Sequence, residues 1–279
     1  MPLPPFTVLE PKRGETPVIV EVPHAGLHVP PEHAQSLVAP ARALARDADL
    51  FCDELYGDAP AEGASMIVAH VSRYVVDLNR GERDTDGDSV QGSVGRTRMP
   101  RGLIWRLTTD NERAILGPIP PAELEARLNA IYRPYHSALA ALIERKRSVF
   151  GLAVVLPGHS MPSVERANPG SPPGDVRNRA DLVPGSRGRT SADARFIDLV
   201  DGHGRDEGWR VVHDNPYRGG FVTQHYGRPE QSVHCVQVEL ARRLYLDEAT
   251  LRRKDGGFNN VRAWCRALVA KLGEEALRG

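Results

Sequence analysis

The sequence predicts an α/β fold, a three-layer αβα arrangement around a mixed central sheet, and three observations carry that expectation. Short apolar runs rich in β-branched residues recur along the chain, and segments with apolar residues at helical spacing lie between them. Two long stretches rich in Gly, Pro, Arg and Asp, about 81–117 and 162–190, interrupt the alternation and imply a sheet that is not purely parallel. The 279 residues suffice for one large α/β core, so a single domain spanning 1–279 is expected.

In chain order, strands are expected at Pro17–Val22, Ser65–Val71, Gly151–Leu156, Trp209–His213 and Cys235–Leu240. Their near-continuous apolar character suits central strands covered on both faces. Helices are expected over Ala41–Tyr56, Pro121–Arg147, Ala192–Gly202 and Asn259–Leu277. Pro121 fits a first helical turn, Ser191 fits an N-cap, and Pro134 should kink or divide the second of these helices. The two irregular stretches exceed the usual length of loops in compact domains, which marks them as walls or lids of an active site.

Composition narrows the function classes. Lys plus Arg and Asp plus Glu both number 36, so no global basic field exists to recruit nucleic acid or an anionic membrane, and a small-molecule partner is expected. No stretch approaches the roughly 18 apolar residues of a membrane span. The three cysteines, Cys52, Cys235 and Cys265, show no paired spacing, which fits a reducing cytoplasm, and Cys235 and Cys265 read as core. The sequence is silent on oligomeric state.

Several residues point to chemistry. Ser72-Arg73-Tyr74-Val75-Val76-Asp77-Leu78-Asn79-Arg80 buries an apolar centre and presents a fixed polar cluster. Arg offers a planar fork that suits bidentate grip on a carboxylate, so an acidic ligand is expected. His24 and His159 each follow a strand within a turn fixed by Pro and Gly, and strand ends of an open α/β sheet converge on its ligand crevice. A hydrolytic zinc site takes three protein ligands, and Asp47 and Asp49 both offer a carboxylate, although on sequence alone helix capping is the better account of either. Glu239 and Gln237 share one face of the last strand, where a carboxylate among Val236, Val238 and Leu240 needs a partner or a task. An ion pair to Arg242 or Arg243 would provide the partner; proton transfer would provide the task. Arg218, in a polar turn ending in Gly219-Gly220, is a second candidate anion grip.

Taken in order, Pro23-His24-Ala25-Gly26, Asp47-x-Asp49, the Ser72–Arg80 stretch, Pro134-Tyr135-His136, His159-Ser160-Met161-Pro162, Asn215–Gly220 and Gln237–Glu248 resemble the N-formylglutamate amidohydrolase family. That family is similar to the zinc carboxypeptidase and aspartoacylase group, with its zinc-exopeptidase/phosphorylase-hydrolase-like fold. The resemblance implies zinc or another divalent metal on His24, His159 and Asp49, with Asp47 the alternative carboxylate, and Glu239 as catalytic carboxylate. It implies that Arg73 stabilises developing charge, that Asn79 and Arg80 hold the substrate carboxylate, and that Arg218, Arg98 or Arg101 takes a side-chain carboxylate. The implied activity is cleavage of N-formyl-L-glutamate, or a close N-acyl amino acid, to glutamate and formate. Two positions depart from the pattern. Pro157 stands where relatives place an acid two residues before the histidine, so another group must orient His159, and Leu27 removes the H-x-x-E spacing of carboxypeptidases. Two other readings fit the same residues, a carboxypeptidase-like peptidase and a metal-free carboxylate-binding protein.

Overall fold

A computed structural model describes residues 3–94, 99–165 and 177–278. The strands are β1 (Phe6–Leu9), β2 (Val18–Val22), β3 (Ser65–Ala69), β4 (Ala153–Met161), β5 (Leu182–Gly185), β6 (Val233–Cys235), β7 (Gln237–Ala241), β8 (Leu246–Asp247) and β9 (Arg252–Arg253). The helices are α1 (Pro31–Ala34), α2 (Ala41–Asp47), α3 (Cys52–Leu55), α4 (Pro121–Arg127), α5 (Arg133–Phe150), α6 (Ala194–Asp206), α7 (Phe221–Tyr226) and α8 (Asp255–Leu277). The main sheet runs β1-β3-β2-β4-β7-β5, with β6 also paired to β4. Its centre is parallel and both edges, β1 and β5, are antiparallel, which makes the sheet mixed as expected.

Every residue of β2, β3, β4 and β7 is buried because helices cover both faces. Val18, Val20 and Val22 pack with α3, α6 and α8, whereas Ile19, Val155 and Ile67 pack with the α4–α5 region. Alternation along the strands thus sends neighbouring residues into two separate cores. No described helix is long and apolar enough to cross a membrane, and all three cysteines are buried and free.

Several local expectations are revised. Trp209–His213 forms no strand; it contributes one parallel bridge, Leu182 to Val211. The Ala41–Tyr56 segment is two helices, because Ala48 is extended and Phe51 takes a left-handed φ of 66°. Ser191 does not cap α6: Asp193 is the N-cap, and the Ser191 hydroxyl donates to the Cys235 carbonyl at 2.7 Å. Pro134 opens α5, and the irregularity lies just before it, as a π-helical turn over Leu128–Tyr132. Pro has no N–H to close the ordinary bond there, and a widened turn absorbs the loss. Strand β5 arises inside the expected 162–190 loop. Its Pro184 removes one ladder donor, which an edge strand tolerates.

Candidate active site

The carboxyl ends of β2, β4 and β7 open into a cavity of about 780 Å³ lined by His24, Asp49, Asn79, His159 and Glu239. His24 leaves β2, and His159 sits within β4 with Glu239 as its register partner on β7. Two residues earlier in β4, Pro157 is the register partner of Glu21 on β2. The sequence places these residues far apart; the parallel register brings them together.

His24, Asp49 and His159 form a compact buried group whose candidate ligand atoms lie within 4.8 Å of one another. Nδ1 of His159 is 2.9 Å from Asp49 Oδ2, and Nδ1 of His24 is 3.6 Å from the same oxygen. The other ring nitrogens are held elsewhere. His24 Nε2 lies 2.7 Å from Asp77 Oδ1, and His159 Nε2 lies 3.2 Å from the amide nitrogen of Asn79. Two imidazoles and a carboxylate, each braced from behind, are the donor set of a hydrolytic divalent-metal site, so the residues present fit such an ion. Burial alone would raise the Asp49 carboxyl, but hydrogen bonds from His159 and His24 override it and hold the group well below the usual carboxylate range. Burial opposes charge on His159, yet its bond to Asp49 and the nearby Glu239 keep it above its ordinary value.

Asp47 is placed differently from Asp49. Its Oδ2 accepts from Tyr74 Oη at 2.5 Å and from the Thr109 N–H at 2.9 Å, and Oδ1 accepts from the Thr109 hydroxyl. It ties the 99–117 segment to α2, and the group within ligand distance contains Asp49 instead. The second Asp49 oxygen faces Arg242, whose Nη2 is 3.2 Å away and whose Nε donates to Ser160 Oγ at 3.1 Å. Arg242 therefore neutralises Asp49 and is not the partner of Glu239. Arg243 pairs with Asp181.

Glu239 takes its hydrogen bond from Gln237 Nε2 at 2.8 Å, and burial, opposed in part by the charge of His159, pushes its carboxyl up to about 7. Gln237 Oε1 in turn accepts from the Gly220 N–H at 2.9 Å, and Asn79 Oδ1 accepts from the Val222 N–H at 2.9 Å. These bonds need a backbone that approaches closely: a Cβ on Gly220 would lie 2.4 Å from the Asn79 amide. The turn containing Arg218 is thus bolted to the face of β7 that carries Gln237 and Glu239.

Arg73 donates to Asp77 Oδ2 from Nη2 at 2.7 Å and Nε at 3.2 Å, and its guanidinium lies 4.2 Å over the Trp105 ring. Trp105 Nε1 donates to the same Asp77 oxygen at 2.9 Å. Arg80 spends Nε and Nη1 on the carbonyls of Arg101 and Asn79. Arg101 grips the Thr108 carbonyl and Asn111, bracing its own loop. Arg218 is exposed on the cavity wall. Arg98 lies outside the described residues, as do parts of both expected long loops. From the described parts, Trp105 and Thr109 of the first and Pro162, Val164 and Arg187 of the second line the cavity.

Sequence reasoning left out Arg242 as a partner of Asp49, Trp105, Asn79 as a partner of His159, and Arg187. Arg242 and Asn79 were visible as polar residues beside apolar runs, but only the register shows what they face.

A family model described as N-formylglutamate amidohydrolase matches residues 16–246. The chain is 35% identical over 244 residues to the N-formylglutamate deformylase of Pseudomonas aeruginosa and 31% identical over 245 residues to that of Pseudomonas putida, covering 86% of each chain in both pairs. The crystal structure of N-formylglutamate amidohydrolase from Ralstonia eutropha JMP134 superposes with a TM-score of 0.87 at 28% identity, covering 99% of this chain and 100% of that one.

Proposed function

The chain belongs to the N-formylglutamate amidohydrolase family and is a hydrolase of an amide bond, and from that premise we propose that it cleaves N-formyl-L-glutamate, or a close N-acyl amino acid, to the amino acid and the carboxylic acid. It does so as one domain, in the reducing cytoplasmic setting that its free buried cysteines fit. The observation that carries the reading is the buried His24–Asp49–His159 group in the same cavity as Glu239 and several arginines.

His24, Asp49 and His159 hold the divalent cation, zinc by the chemistry of the donor set. When bound there, the ion supplies Lewis acidity that makes hydrolysis accessible near neutral pH. Arg80, with the guanidinium edge its two carbonyl bonds leave free, takes the substrate α-carboxylate. Asn79 supports that wall by fixing both His159 and the start of α7. Arg73, held rigid by Asp77 and Trp105, faces the amide carbonyl as negative charge develops on its oxygen. Glu239 accepts a proton from the attacking water on its carboxylate and delivers it to the amide nitrogen as the C–N bond breaks, releasing formate and glutamate from the formyl substrate. A carboxyl near 7 serves both halves of that transfer at neutral pH. Arg218 lines the same cavity as a further cation.

Formate release from N-formyl-L-glutamate should be lost on chelation and restored by added zinc, and Glu239→Gln should reduce kcat about 10²- to 10⁴-fold with little change in KM. Turnover that survives both treatments would overturn the mechanism.

A further inference from the structure

Residues Arg187, Gly188 and Arg189 have φ values of 54°, 75° and 65°. Successive left-handed residues are rare, because for L-residues with a Cβ each costs on the order of 1–2 kcal/mol. Something must hold the turn, and Asp214 does. Its carboxylate accepts from the N–H groups of Ser186, Arg187 and Gly188 at 2.7, 3.0 and 2.6 Å. Asp214 itself has a φ of 58°, so two unfavourable backbones are matched to each other across the cavity wall. Strain maintained in this way clusters at ligand sites.

The turn presents one side chain to the cavity, that of Arg187. Its Nη1 donates to the Gly219 carbonyl at 3.0 Å, and among the described residues Nε and Nη2 have no acceptor. Gly219 precedes Gly220, whose N–H binds Gln237, which in turn binds Glu239. A short run of bonds therefore fixes Arg187 relative to the catalytic carboxylate. Charge separates it from three other arginines of the wall. Arg46 pairs with Asp110, Arg73 with Asp77 and Arg242 with Asp49. Among the described residues, Arg80, Arg187 and Arg218 line the cavity without a carboxylate at ion-pairing distance. Arg80 adjoins Asn79; Arg187 and Arg218 come from two other turns, joined where the Arg187 N–H donates to the Arg218 carbonyl at 2.9 Å.

We propose that Arg187, held in its left-handed turn by Asp214 and flanked by Arg218, binds the side-chain carboxylate of the substrate and makes the enzyme selective for acidic N-acyl amino acids. The inference rests on the functional reading above and supplies the cation that a second carboxylate requires. A charged hydrogen bond of this kind corresponds to roughly 10- to 100-fold in affinity.

The test compares N-formyl-L-glutamate with N-formyl-L-glutamine, which share a shape and differ in charge, for the wild type, Arg187→Gln and Asp214→Ala. In Arg187→Gln the ratio of kcat/KM values for the two substrates should fall about 10- to 100-fold, mainly through KM for the acidic one. Asp214→Ala, which releases the turn, should lower the same ratio. Equal losses on both substrates, or an unchanged ratio, would overturn the assignment while leaving the amidohydrolase reading intact. If the wild type releases formate from neither substrate, that reading fails instead. Calorimetric binding of L-glutamate and L-glutamine then decides the residue: selective weakening of glutamate by Arg187→Gln sustains it, and equal effects refute it.

Discussion

Asp77 shows how much one buried carboxylate can organise. From the sequence it reads as a brace for the neighbouring arginines, and it does bind Arg73, but it also meets His24, Trp105 Nε1 and the Asn79 N–H. Burial raises its carboxyl, yet Arg73 and His24 hold it well below the ordinary range, so it stays charged behind His24. Asp77→Asn should therefore lower metal affinity about 10- to 100-fold, measured by competition with a chelating dye. Unchanged affinity would remove Asp77 from the centre. Its contact with Arg73 was legible because four residues separate them; its contact with His24 was not, because the two meet only through the parallel pairing of β2 and β3.

At the level of elements, the apolar strand runs were the most legible part. His24 follows β2 as expected, but His159 lies inside β4, because pairing with β7 carries that strand through Pro157 and Gly158 to Met161 instead of letting it turn there. Helix ends were less legible, since the extended Ala48 and left-handed Phe51 that deliver Asp49 to the site have no local signature. α7 escaped notice because its six residues are fixed at their start by bonds from Gly220 and Val222 to side chains far away in sequence. Gly220→Ala tests that attachment. The added Cβ meets the Asn79 amide, whose oxygen and nitrogen are already engaged, so the turn must shift rather than the side chain. A displacement near 1 Å should cost about 10²-fold in kcat/KM with the circular dichroism spectrum preserved. Wild-type kinetics in that variant would show that the close approach is dispensable.

Across the whole molecule, the sheet buries a second carboxylate that sequence reading passed over. Glu21 sits among Val18, Ile19, Val20 and Val22, the same signal that drew attention to Glu239. It is fully buried, takes one hydrogen bond from Tyr135 Oη on α5 at 2.6 Å, and leaves its other oxygen without a partner. Burial, opposed by His159 and the Tyr135 bond, pushes its carboxyl from 4.5 up to about 7. Between those values the folded state binds more protons than the unfolded one, so its contribution lowers stability as pH rises through that window and stays lower above it. A gap of that size corresponds to about 3 kcal/mol. In the metal-free protein, Glu21→Gln should accordingly gain stability over the wild type near pH 8 and lose that advantage by about pH 4.5, as read by urea unfolding. A difference that does not vary with pH would contradict the account.

The antiparallel edge strand β5 has a further consequence for how such a protein diverges. Residues on β2, β4 and β7 lie between two packed cores, where most substitutions are purged for their effect on folding. The turn after β5 hangs from the margin of the sheet and is held mainly by one aspartate. On the role proposed for Arg187, substitutions in this turn that keep its link to Gly219 would change the amino acid accepted while the buried donors on β2, β4 and β7 are inherited unchanged.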